Sequence, residues 1–154
     1  MQVEHHATIK PLAAEWDQLA DRLNASPWLR PGWFTAWREA FGEGALRVLA
    51  ARSGGHLVGV VPLEVHSRRV SSVSNWHTPY FGMLAEPDAV PVLAQHLLAS
   101  RPQRITLAFV APSGADVAEI LRAATAARYR YLMRRLERSP YVAMDGGWTA
   151  YEMS

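Results

Sequence analysis

The chain has 154 residues, no cysteine and a formal net charge of +2. That length fits a single domain spanning residues 1–154. The missing thiols exclude disulfides, thiolate metal sites and a cysteine nucleophile, and so small a charge leaves no global field to draw nucleic acid.

Residues 2–9 read as a first strand. In PLAAEWDQLADRLN, Leu12, Trp16, Leu19 and Leu23 recur at spacings of one helical face. Pro11 suits a first helical turn, and Asn24 is a plausible stop. Pro31 opens a second helix, along which Trp33, Trp37 and Phe41 form a stripe. Such a stripe reads as core, with the lining of a ligand groove as the other reading. ALRVLAARSGGHLVGVVPLEVH is a hairpin, its two β-rich runs joined by Gly54-Gly55 at a turn that needs positive φ. Pro62 inside the second run places that strand at an edge or a bulge.

A short strand is expected at 70–74 and another in YFGMLA. PDAVPVLAQHLLAS follows as a helix, with Val90, Leu93 and Leu97 inward and Pro91 in its first turn. RITLAFV reads as a buried strand with Ile105, Leu107 and Phe109 on one side. Ser113 and Asp116 have the spacing of a capping box for the helix ADVAEILRAATAA. YRYLMRRLERS fits a last strand with an arginine-rich solvated face. The expected class is α/β, a mixed, partly antiparallel sheet with helices on both faces.

No apolar run reaches the roughly 18 residues of a membrane-crossing helix, and MQVEHHATIK lacks the basic start and apolar stretch of a secretory signal. A cytoplasmic protein is expected, with no membrane span and no nucleic-acid partner. Arginine outnumbers lysine 15 to one. A GC-rich genome produces that bias, and so does selection for the planar guanidinium at anionic sites. The histidines outside the motif described next are scattered, and no H-x-x-x-H or H-E-x-x-H pattern occurs, so no metal site is expected. Nor is there a G-x-S-x-G, a phosphate-binding P-loop or a G-x-G-x-x-G.

The densest chemistry lies in NWHTPYFG, residues 75–82. One reading makes His77 a general base or substrate contact and Tyr80 an acid or hydroxyl donor. The other makes the segment a structured turn, in which Pro79 extends Thr78 and Asn75 or Thr78 bonds local backbone.

WDQLAD, SPWLRPGWFTAW, LVGVVPL, NWHTPYFG and SPYVAM, in that order, resemble the N-terminal half of CelD-type acetyltransferases, a GNAT/FemAB-like group associated with cellulose biosynthesis. The resemblance covers about residues 10–151. It implies a GNAT-like fold and transfer of an acyl group from acetyl-CoA or another acyl-CoA to an amine or hydroxyl on a small molecule or polymer precursor. His77 and Tyr80 are then the catalytic candidates, and Asn75, Trp76, Trp33 and Trp37 the substrate-binding ones. It also implies a second GNAT-like half or a homodimer, since such families carry two tandem halves. One motif of catalytic GNAT domains is not recognisable. Where glycines would cradle a pyrophosphate, YFGMLAEPDAVP offers one glycine and two acids, Glu86 and Asp88. The alternative is therefore a non-catalytic half that binds substrate or scaffolds a partner.

Overall fold

The computed structural model describes residues 1–136, which build a six-stranded sheet and four α-helices. β1 (Gln2–His6) pairs antiparallel with β2 (Ala45–Ser53), and β2 with β3 (His56–His66). The β2–β3 turn is Gly54-Gly55, both at positive φ (56° and 84°), as a tight hairpin requires. The other flank of β3 is shared. β5 (Leu84–Ala85) pairs with Gly59 and Val60, and β4 (Arg69–Ser72) with Leu63 to His66. Pro62 falls between these two ladders, so on that flank its missing N–H breaks nothing. The strand is central, and the proline marks the local edge within it. The one register shift in this hairpin lies elsewhere, between Ala51 and Arg52.

Among the described residues β6 (Arg104–Thr106) is the last strand on this side, parallel to β4. Parallel neighbours need a crossover, supplied here by α3 (Val90–Ala99), with Pro91 in its first turn. The sheet is thus mixed and mostly antiparallel.

α1 (Ala13–Arg22) buries Trp16 and Leu19, with Leu12 just before it. It ends where Asn24 turns left-handed (φ 47°) and Ala25 N–H reaches back to Ala20 O at 2.8 Å, a helix stop that asparagine tolerates. Trp16 donates its Nε1–H to Leu29 O at 2.8 Å. Its ring lies 5.5 Å from Phe34 of α2 (Pro31–Phe41), and Phe34 lies 6.2 Å from Phe81. These fully buried rings, each stabilising by roughly 1.5–3 kcal/mol, join the first two helices to the end of NWHTPYFG.

Helices cover both faces. On one face Arg52 bridges Glu4 of β1 and Glu15 of α1, whereas His5, next on the strand, points to the opposite side, where it feels Arg47 and His96 of α3. Burial first, then the Arg47 charge, hold the His5 pKa below its usual value. Arg52 grips both oxygens of Glu15 at 2.7 and 2.9 Å and Glu4 at 3.0 Å. Those hydrogen bonds hold both carboxyls below the ordinary carboxylate range.

The second half departs from its expected pattern. The strand expected over YFGMLA shrinks to Leu84–Ala85. The one expected over RITLAFV stops at Thr106; beyond it Ala108 bonds serine side chains in place of a strand partner, and Phe109 takes φ 60°, outside any strand. No capping box forms. Gly114 is the cap of α4 (Ala115–Ala126), no side chain bonds it, and Asp116 is engaged elsewhere. Residues 129–136 are not in a strand, and the remainder of YRYLMRRLERS, like SPYVAM, lies outside the described residues.

Candidate functional site where two parallel strands part

β4 and β6 stay paired for three residues, through Ser71 and Thr106, and then part. Serine side chains span the widening gap. Ala108 N–H donates to Ser72 Oγ at 3.0 Å, Ser72 and Ser74 share a hydroxyl bond of 2.6 Å, and Ser74 Oγ reaches Ala108 O at 3.4 Å. NWHTPYFG leaves β4 at this point.

The first half of the motif is a built turn. Thr78, buried, donates its N–H to Asn75 O at 2.9 Å and accepts Asn75 N–H on Oγ1 at 3.0 Å. Asn75 Oδ1 takes His77 N–H at 3.0 Å. These are the side-chain bonds that make asparagine and threonine turn residues. The turn pushes two rings outward. Trp76 is 70% exposed, its ring edge-on to Phe109. His77 is exposed and stacks on Phe41, with centroids 5.3 Å apart and planes 10° from parallel.

Beside that stack lies an open cleft of about 460 Å3 between the end of α2 and the turn, lined by Trp37, Ala40, Phe41, Glu43, Ser74 and Asn75. Trp37 is buried, and its Nε1–H has no acceptor among the described residues. The chain after α2 forms the wall. Glu64 on β3 fixes it, accepting Arg38 Nη1 and, at 3.2 Å each, the N–H groups of Glu43 and Gly44. Arg38 also donates to Gly44 O at 2.9 Å.

The structure divides the sequence-derived candidates. Trp37 and Asn75 line the cleft, and His77 stands at its rim. Trp33 sits one turn earlier, edge-on to Trp28 at 4.9 Å, outside the lining. Trp76 faces solvent. Tyr80 runs the other way, toward Gly82 and Asp116. Its partial burial, and then the Asp116 charge, raise its phenol pKa. His77 and Tyr80 therefore do not share the cleft. The sequence reading missed Glu43 and Ser74 altogether, and preferred core over groove lining for the stripe that holds Phe41, which is 43% exposed. Its position as the last residue of α2, before Gly-Glu-Gly, is the signal that could have marked it.

The start of α4 already holds a protein carboxylate. Asp116, in the first turn of α4, is buried and accepts Met83 N–H at 3.0 Å and Val117 N–H at 2.8 Å. α3 is preceded by a 3-10 turn, Pro87–Ala89, which carries Asp88 and follows Glu86, whose carboxylate reaches Arg22 Nη2 at 3.5 Å. Among the described residues no three histidine or acidic side chains converge as metal donors, and no helix is long and apolar enough to cross a membrane. No family model, curated protein or solved structure matches this chain.

Proposed function

We propose that this chain is a GNAT-like domain of the acyltransferase superfamily that holds the acceptor, the acyl-CoA being bound on a second GNAT-like half or another subunit. The reaction it serves is transfer of an acyl group to an amine or hydroxyl. Support for the fold comes from the order of elements and from the parallel pair that crosses through α3 and then parts beside the motif. The cleft supplies aromatic walls from Trp37 and Phe41, a carboxylate from Glu43 and polar groups from Ser74 and Asn75, a mixture suited to a small organic acceptor.

The observation that carries the division of labour is Asp116. A helix start binds a pyrophosphate through free N–H groups and the positive end of the dipole. In α4 the Val117 N–H is taken by the buried Asp116 carboxylate, whose negative charge sits in the first turn, and the approach to α3 bears two more acids. A pyrophosphate arriving here meets repulsion.

Calorimetric titration of acetyl-CoA into the folded chain tests this. No detectable heat is expected. A Kd of roughly 1 μM to 1 mM, the span of enzyme substrates, would overturn the division. It would place a donor site on this chain, whose catalytic use His77→Ala and Tyr80→Phe would then probe.

A further inference from the structure

The opposite end of the β4–β6 pair gathers positive charge. Register sets Arg69 beside Arg104, both exposed, a juxtaposition of like charges that destabilises a sheet unless an anion is present. Gln103 N–H donates to Arg68 O at 2.7 Å. That bond ties the β3–β4 turn to the α3–β6 turn, which carries exposed Arg101. Tyr129 Oη donates to Pro102 O at 2.8 Å, so the chain leaving α4 closes on the same corner and brings Arg128 and Arg130, also exposed.

Residues 66–72, 99–106 and 127–136 contain no aspartate or glutamate. Among the described residues the arginine–carboxylate pairs involve other arginines: Arg22, Arg30, Arg38, Arg52 and Arg122. The net charge of +2 therefore conceals a strongly basic corner.

Next to it the chain is apolar and exposed. Leu132 is 83% exposed and Met133 50%, with Tyr131 before them and Leu136 after. Arg134 and Arg135 interrupt the run. A polyanion in water has use for the guanidinium groups but none for exposed leucine and methionine. An anionic bilayer uses both, phosphates against the arginines and the acyl boundary against the apolar side chains.

We propose that this corner docks the protein on an anionic lipid surface, with Arg69, Arg104 and their neighbours on headgroup phosphates and Leu132 and Met133 entering the interface. The surface lies at the far end of the parallel strands from the cleft, so it stands or falls independently of the acceptor reading.

The test is co-sedimentation of the full chain with vesicles of equal parts phosphatidylglycerol and phosphatidylcholine, against phosphatidylcholine alone. Binding is expected only to the mixed vesicles, weakening with added salt. Arg69→Ser with Arg104→Ser should weaken it about 25-fold, at roughly fivefold per arginine near a charged surface. Arg69→Lys with Arg104→Lys should preserve it. Leu132→Ser with Met133→Ser should weaken it with the charge intact. Should the serine pair fail to fold, Arg101→Ser with Arg130→Ser reads the same term. Equal binding to neutral vesicles, no binding to either, or serine pairs that bind like the parent overturn the proposal. So does retention on a single-stranded RNA oligonucleotide without vesicle binding, which would make the partner nucleic acid.

Discussion

Glu64→Ala is the substitution whose effect the structure fixes most closely. Glu64 is 7% exposed and takes three donors: Arg38 Nη1 and the N–H groups of Glu43 and Gly44. Removing one partner of a buried ion pair costs roughly 3–5 kcal/mol, because the other charge stays behind unpaired. The Arg38 side chain is 22% exposed, and water that reaches it offsets part of this, which places the loss near the lower end, ~3 kcal/mol. For a domain of this size that lowers the Tm by about 6–12 °C. Thermal unfolding followed by circular dichroism measures it. Hydrogen exchange at the Glu43 and Gly44 amides should quicken in the same variant, since those N–H groups lose their acceptor. Arg38→Met combined with Glu64→Leu removes both charges and should regain part of the loss, as apolar replacement of a buried pair often does. The reasoning is refuted if Glu64→Ala melts within about 1 °C of the parent, or if the double variant is less stable than Glu64→Ala.

Four further outcomes concern Gly42, the Asn75–Thr78 turn, the Arg52 ion pairs and Asp116. A Cβ on Gly42 would lie 2.7 Å from both Arg38 O and the Arg38 guanidinium, so Gly42→Ala should cost about 1–3 kcal/mol in denaturant melts. Thr78→Val leaves the buried turn without an acceptor for Asn75 N–H and should cost about 1–2 kcal/mol, whereas Trp76→Ala, exposed, should stay within about 1 kcal/mol of the parent. The carboxyls of Glu4 and Glu15 titrate below the ordinary range when folded. Their contribution is therefore complete above that range and is lost as pH falls through it and below; the gap in Tm between the parent and Arg52→Met should be widest near neutral pH and close under acid. In a spectrophotometric titration of the tyrosines, Asp116→Asn should lower the pKa of Tyr80, from which it removes a neighbouring negative charge.

What the sequence made legible was local. The face of Leu12, Trp16 and Leu19, the Gly54-Gly55 turn and Pro31 at a helix start each follow from a few adjacent residues, and each forms as expected. Features set by distant partners were not legible. RITLAFV has a strand pattern, yet Phe81 N–H bonds Phe109 O at 2.8 Å while Phe109 adopts a left-handed backbone, so a contact 28 residues away in sequence outweighs local propensity. Asp116 has the spacing of a capping box, but its carboxylate serves Met83, 33 residues earlier. The candidate site divides for the same reason. His77 and Tyr80 are three residues apart and look like partners, but the Asn75–Thr78 turn reverses the chain between them. One side chain is thereby sent to Phe41 and the other to α4. Proximity in a motif is thus evidence of shared chemistry only where the backbone between the residues keeps its direction, and in NWHTPYFG the turn-forming residues are the ones that end it.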